Sequence, residues 1–460
     1  MNRKTILSCI PLALAPFTSS CDHKETPPNI IFLLTDDQRY DAMGYAGNSY
    51  ISTPNIDRLA EHGIIFRNAY VTTSISCVSR ASILTGQYAS RHGINDFNTD
   101  FSDEALIKTY PLILKNQAGY KIGFIGKYGV GLKKQPAEMF DYWGCEKVIQ
   151  PRYENYDSTG KMTHYTDIVN SRIEDFLSQY GGEAPFCLSV SFKAPHVEDS
   201  DPRQFIYNER YSDYYTDLDY PRPESGGDEY WKLFPEKFRF NNEARRRWQI
   251  RFETDTLFRE SVRSYYRLIQ GVDDVVGNLT RRLDELGIGE NTIIIMMGDN
   301  GFFLGEHGLA GKWFPYEESV RVPLFIYNPL EKEENKGRII ESIALNIDIA
   351  PTILTFAGLK KDPGMQGEPL QNTWKEKDPE WRDRFFYEHR FDHPGLPKSE
   401  AVIGSDYKYI NYYELPDSSR EFYDLRNDPG EIRNLINSSD YHSQIKQHEL
   451  MLDSLRVTVR

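Results

Sequence analysis

The sequence predicts an α/β fold with a mostly parallel central sheet flanked by helices, followed by a smaller C-terminal domain of antiparallel sheet plus helix. Three observations predict it. Four short runs are apolar throughout instead of alternating: 29–35 (NIIFLLT), 120–125 (YKIGFI), 186–192 (FCLSVSF) and 292–297 (TIIIMM). Helical patterns fall between them, at 55–62, 80–88, 167–180 and 265–286. Strands apolar on both faces and separated by helices indicate a buried parallel sheet. Past about residue 375 the texture changes. Short alternating runs at 385–387, 407–412 and 421–423 suggest an antiparallel sheet, and 443–457 closes the chain as a helix. A length of 460 residues exceeds what one hydrophobic core usually serves, so the expected domains are 27–365 and 366–460.

Residues 1–21 read as an export signal. Arg3 and Lys4 precede an apolar stretch, 6–17, that is too short to span a bilayer, and Ser19 and Ser20 lead into Cys21. Its end resembles a bacterial lipoprotein box, with Cys21 as the lipid anchor, although Thr18 stands where a larger aliphatic residue is usual. The expected location is the periplasm or outer membrane of a bacterium. With Cys9 and Cys21 in the signal, Cys77, Cys145 and Cys187 remain. Their odd number and lack of metal-site spacing exclude a disulfide framework and argue against a zinc–thiolate centre. A formal net charge of -14 argues against a nucleic-acid partner held by a broad basic face, yet leaves room for a locally positive anion site. The stretch 206–240, rich in Tyr, Asp, Glu and Pro, reads as a long insertion, either a surface loop or a lid.

In a doubly covered parallel sheet, functional groups collect beyond the carboxyl ends of the strands. Asp36 and Asp37 follow the first apolar run, and Asp299 and Asn300 follow the fourth. Four oxygen-bearing side chains without a thiol suit a hard cation, Ca²⁺ or Mg²⁺, rather than zinc. Singly, such pairs are ordinary turn residues; together they suggest one site. Lys127 and His196 follow the second and third runs, and Lys312 follows the second acidic pair. Three such groups around a hard metal form a pocket for a tetrahedral oxyanion. In residues 72–86 a Ser/Thr-rich turn enters an apolar helix, with Ser76 near its start and Arg80 one turn further. Ser76 as an N-cap and Arg80 as a surface charge is the plainer alternative.

The segment Ser76-Cys77-Val78-Ser79-Arg80 resembles the signature of the type I sulfatases, a branch of the alkaline phosphatase superfamily. Further matches run in order along the chain: Thr53-Pro54-Asn55-Ile56-Asp57, Gly126-Lys127, Ala194-Pro195-His196, Gly298-Asp299-Asn300-Gly301, Leu304-Gly305-Glu306-His307-Gly308, Glu318-Ser319-Val320-Arg321-Val322-Pro323, Phe422-Tyr423-Asp424-Leu425 and Asp428-Pro429. The resemblance implies an alkaline phosphatase-like fold and hydrolysis of sulfate esters, here on oligosaccharides from a sulfated polysaccharide. It also implies conversion of Ser76 to formylglycine (3-oxoalanine) by a radical-based maturation enzyme, since alignment on Arg80 leaves Cys77 one place beyond the modified position. The implied catalytic residues are Ser76, Arg80, Lys127, His196 and Lys312, and the implied metal ligands are Asp36, Asp37, Asp299, Asn300 and modified Ser76. His307, Arg321, Glu388 and His389 are candidate substrate contacts, with Arg390 and His393 nearby. Two positions depart from the pattern. Val78 stands where Pro or Ala is usual, and Gly129 where relatives carry a histidine that helps expel sulfate, with Tyr128 and His307 as candidate substitutes. Alternatives are a phosphodiesterase or phosphonate monoester hydrolase of the same superfamily, and a catalytically silent glycan-binding lipoprotein.

Overall fold

A computed structural model describes residues 27–460 apart from 183, 376–379 and 417–418. The expected export signal, residues 1–21, and its Cys21 lie outside them. Among the described residues, no helix is long and apolar enough to cross a membrane.

The large sheet has eight strands: β1 Asn29–Asp36, β2 Ile64–Phe66, β3 Lys121–Gly126, β4 Tyr142–Cys145, β5 Phe186–Pro195, β6 Thr292–Gly298, β7 Leu324–Tyr327 and β8 Arg338–Ile340. They lie in the order β8-β2-β7-β6-β1-β5-β3-β4. The five strands β6-β1-β5-β3-β4 are parallel, and β7 runs antiparallel to both β6 and β2. β1, β5 and β6 are buried along their whole length, which is why they read as unbroken apolar runs.

Helices cover both faces: α1 Pro54–Glu61, α2 Ser76–Thr85, α3 Tyr110–Ala118, α4 Tyr165–Tyr180, α5 Glu243–Arg251, α6 Asp255–Glu285, α7 Ile349–Phe356 and α8 His442–Thr458. α6 starts ten residues before its apolar pattern because the Thr254 hydroxyl caps it, accepting from the Leu257 amide at 3.2 Å. Its stripe of Tyr265, Ile269, Val272, Val276, Leu279 and Leu283 recurs every three or four residues and is buried with the β1 and β5 side chains Ile31, Leu33, Leu188 and Val190. The insertion at 206–240 is neither regular nor loose. It forms short helical turns at Glu209–Tyr211, Glu224–Gly226, Asp228–Trp231 and Glu236–Arg239. Its tyrosines are tied to α6, Tyr211 to Asp274 at 2.7 Å and Tyr215 to Gln270 at 3.0 Å.

The C-terminal sheet is a meander of β9 Arg384–His389, β10 Ser399–Gly404, β11 Tyr407–Asn411 and β12 Glu421–Asp424, antiparallel throughout and packed by α8. It shares a continuous core with the large sheet. Buried polar groups fasten it as well. The Tyr387 hydroxyl donates to the Trp313 carbonyl at 2.7 Å, and the Glu388 amide to the Thr72 carbonyl at 3.0 Å. Lys408, with no exposed surface, is shared by Glu317 at 2.9 Å and Glu431 at 2.7 Å.

Glu421 accepts from the Tyr316 hydroxyl at 2.7 Å and the Tyr423 hydroxyl at 3.2 Å. Burial pushes its carboxyl up to about 7 although both hydroxyls favour the charged form. A raised folded-state pKa means that its contribution is full below about 4.5 and is lost as pH rises through 7. Glu421→Gln is expected to flatten the fall of stability between pH 5 and 8 by on the order of 3 kcal/mol. Urea denaturation of both proteins across that window measures it.

Candidate active site

The strand ends converge where the parallel sheet predicts. Asp36 closes β1, and Asp37 turns the chain away with a φ of 61°. The Asp37 amide donates to Asp299 Oδ1 at 3.1 Å, which ties the end of β1 to the end of β6. Asn300 donates its amide to Asp37 Oδ1 at 2.7 Å and turns its own Oδ1 towards Ser76. Asp36, Asp37, Asp299 and Asn300 are all at most 1% exposed.

Ser76 is the first residue of α2, and Ile75 occupies the N-cap position. The Ser76 hydroxyl lies 2.8 Å from Asp36 Oδ1 and 3.4 Å from Asn300 Oδ1, at the centre of the cluster. Arg80 projects from the same helix face, is 2% exposed, and is no surface charge. Its Nε and Nη2 reach Asp299 Oδ2 at 3.0 and 2.9 Å, while Nη1 donates to the Lys127 carbonyl at 2.8 Å and to the Ser191 hydroxyl. Cys77 faces the apolar core with no exposed surface, and burial pushes its thiol up to about 12.

Lys127 is delivered by a turn that requires glycine. Gly126 has a φ of 94°, and a Cβ there would lie 2.0 Å from the Ser191 carbonyl. The Lys127 amide donates to that carbonyl at 2.8 Å, and its ammonium contacts Asp36 Oδ2. Lys312 holds both oxygens of Asp37 at 2.6 and 2.7 Å. His196 Nε2 lies 3.5 Å from Asp37 Oδ2 and 3.2 Å from Gln150, with Nδ1 2.5 Å from the Val197 carbonyl. Burial opposes ionisation of Asp36, yet Lys127, His196, Arg80 and Lys312 hold it well below the usual carboxylate range. Asp299 goes the other way, raised by burial and by the adjacent Asp36 charge. Burial also lowers Lys127, and brings His196 down to about 4. Three acidic side chains therefore face three basic ones, all of them buried.

The donor set fits a hard cation. Its ligands are oxygens, no thiolate faces them, and carboxylate oxygens of Asp36 and Asp37 lie with a His196 nitrogen within 4.8 Å of one another. The Asp299 carboxyl, raised by burial and then by the Asp36 charge, is one that a bound divalent ion would hold ionised.

Of the four expected substrate contacts, three are engaged with other residues and the fourth is buried. His307 stacks on Tyr316 at 4.4 Å and sits 3.7 Å from Glu318, and no contact joins it to the aspartates. Arg321 is folded back onto the Arg67 carbonyl at 2.7 Å and the Tyr40 ring at 4.3 Å. Glu388 spends its oxygens on the Ser90 amide at 2.8 Å and on Arg390 at 2.7 Å, clasping β9 to the segment after α2. His389 is fully buried with both ring nitrogens unpartnered. Tyr128, a candidate substitute at the histidine-less step, is packed between Phe124 and Trp143 at 5.5 and 5.4 Å. A cavity of about 690 Å³ between residues 220–225 and 427–433 includes none of the clustered residues in its lining. Ser191 was not singled out from sequence, although Ser189, Ser191 and Lys193 alternate as polar positions along an apolar strand.

A parallel sheet whose strand ends gather acidic ligands, a helix-borne serine and three cations defines a hydrolase of the alkaline phosphatase-like class. The sulfatase profile matches residues 28–359, and that of the N-sulphoglucosamine sulphohydrolase C-terminal region matches 305–458. An N-acetylglucosamine-6-O-sulfatase of Bacteroides thetaiotaomicron is 30% identical, over 98% of this chain and 90% of its own. An arylsulfatase of Clostridium perfringens is 29% identical, over 91% of this chain and 92% of its own. Among solved structures, a protein in complex with its substrate D-glucosamine-2-N,6-O-disulfate superposes with a TM-score of 0.80 at 27% identity, covering 94% of this chain and 98% of the other. A phosphonate monoester hydrolase of Agrobacterium radiobacter shares the fold, with a TM-score of 0.78 at 22% identity, covering 94% and 96%. The chain belongs to the sulfatase family, and it is a sulfatase.

Gly129 generates a prediction. Its φ is 72°, and an added Cβ would lie 2.8 Å from Arg80 Cδ. Gly129→Ala is expected to displace Arg80 from Asp299 and to lower kcat/KM by about 10-fold or more, because small misplacements at a reacting centre are costly. Steady-state kinetics on an aryl sulfate, with circular dichroism to confirm folding, checks it.

Proposed function

We propose that this sulfatase removes sulfate from carbohydrates, in particular oligosaccharides from a sulfated polysaccharide, using a formylglycine made from Ser76 and a bound Ca²⁺. The observation that carries it is the position of Ser76 Oγ, where oxygens of Asp36 and Asn300 meet inside a ring of Arg80, Lys127 and Lys312. Names of relatives support the substrate class: one is an N-acetylglucosamine-6-O-sulfatase, and one structural neighbour holds a sulfated glucosamine.

Asp36, Asp37, Asp299, Asn300 and the modified side chain at 76 would hold the cation. When present, the formylglycine hydrate supplies the hydroxyl that attacks sulfur, and the cation polarises the sulfate. Asp36 and Asn300 orient the oxygen at position 76. Arg80, Lys127 and Lys312 balance charge as it builds on the sulfate oxygens. His196 protonates the leaving alcohol, with Lys312 able to share that task. The Val197 carbonyl fixes the proton on Nδ1, leaving Nε2 to collect one, and the charge of a bound sulfate raises its low affinity for that proton. His389, buried with both nitrogens free, is the retained candidate for a sugar contact from the C-terminal domain, 366–460. Export through residues 1–21, anchoring at Cys21 and maturation by a radical-based enzyme complete the proposal.

Mass spectrometry of the peptide spanning Ser76 to Arg80, after coexpression with the maturation enzyme, is expected to show loss of two hydrogens at Ser76. Oxidation at Cys77 would refute the serine assignment, and kcat/KM favouring a phosphodiester over a sulfate ester would refute the activity on sulfate.

Chelation should abolish turnover, with Ca²⁺ restoring more of it than Mg²⁺. His196→Ala should lower kcat on a sugar sulfate by about 10²- to 10⁴-fold while sparing an aryl sulfate whose phenol leaves unaided. Equal losses on both would make His196 structural.

A further inference from the structure

We propose that Arg247 and Arg251, on helix α5 beside the insertion, form a second anion subsite next to the catalytic pocket. It would read a sulfate or carboxylate carried by the substrate in addition to the ester that is cleaved. This rests on the carbohydrate sulfatase activity proposed above.

The two arginines lie one helical turn apart on α5 and converge on one atom. Arg247 Nη1 and Arg251 Nη2 both donate to Asp199 Oδ1, at 2.8 and 2.7 Å. The other carboxylate at this end, Glu243, is shared between Arg246 and Arg247. Three guanidinium groups therefore face two carboxylates, a local positive excess on a chain whose net charge is -14.

Asp199 stands three residues beyond His196. Arg247 lies over the Trp313 ring at 5.0 Å, and Lys312, which grips Asp37, lies 5.9 Å from the same ring. Trp313 thus stands between the catalytic lysine and the arginine pair, held at a φ of 87° that bulky residues rarely adopt.

Arg251 supplies the independent sign of a ligand. It is 1% exposed, with Nε on Gln204 at 2.9 Å and Nη2 on Asp199, but its Nη1 is buried without a hydrogen-bond partner. An unpaired N–H of a buried guanidinium is costly, and an oxyanion satisfies it. Asp199 is 43% exposed and Arg247 17%, so the pair meets solvent there, while Arg251 reaches the same carboxylate from the buried side at 1%.

The test compares three sulfated sugars as substrates of the matured, metal-loaded enzyme: glucosamine 6-sulfate, glucosamine N,6-disulfate, and a 6-sulfated glucosamine joined to a uronic acid. Wild type is expected to favour one of the two dianionic sugars over the monosulfate by about 10-fold or more in kcat/KM. Which one it favours tells sulfate from carboxylate. Arg247→Ala should remove that preference and leave the monosulfate rate within about twofold, with Arg247→Lys restoring part of it. Arg251→Lys, which keeps the charge but not the fork, should weaken the preference in the same direction.

Equal loss on all three sugars after Arg247→Ala would overturn the subsite, as would a wild type without preference. Failure of wild type to release sulfate from any of them would instead overturn the carbohydrate activity on which it rests.

Discussion

Asp36, Asp37 and Asp299 are buried side by side at the ends of β1 and β6, and their mutual repulsion governs the surrounding structure. A buried carboxylate without a partner is costly by several kcal/mol. Each therefore has its own cation: Lys127 for Asp36, Lys312 for Asp37 and Arg80 for Asp299. Asp299 remains raised even so, first by burial and then by the adjacent Asp36 charge. The same arrangement that suits a divalent ion also keeps three cations beside the Ser76 hydroxyl.

Supplying those cations dictates local backbone. Lys127 reaches Asp36 only because Gly126 lets β3 turn against the Ser191 carbonyl, and the Ser191 hydroxyl then accepts a hydrogen bond from Arg80. Gly129 leaves the room that the Arg80 methylene chain occupies. The missing histidine at that position is thus not a simple vacancy, because the Arg80 side chain passes through the space. Neither sequence candidate takes its place: Tyr128 is locked in an aromatic box, and His307 belongs to a buried network with Glu318 and Tyr316.

That network shows what the C-terminal sheet does for the site. Lys408, Glu317, Glu431, Tyr316 and Glu421 join the meander to the loop that carries Lys312 and Trp313. The insertion is braced likewise, with its tyrosines on α6, while the Glu243 amide of α5 meets the Gly395 carbonyl at 3.0 Å. Elements distant in sequence thereby hold the walls of the pocket at fixed separations.

The four central strands, the acidic pairs at their ends, Ser76, Arg80, Lys127, His196 and Lys312 were legible in the sequence. Unbroken apolar runs leave one architecture open to them, and strand-end polar residues in that architecture share one edge. The short strands β2, β4, β7 and β8 were not legible, since three or four residues carry too little periodicity. Nor were the fates of His307, Arg321 and Glu388, whose motifs say that they matter but not which way they face. Only tertiary structure decides that: His307 turns to Glu318, Arg321 to the Arg67 carbonyl and Glu388 to Ser90, because a buried polar group must find partners wherever the chain places them. The meeting of Arg247 and Arg251 on Asp199 arises in the same way, from a helix brought against a strand end some fifty residues earlier in the chain.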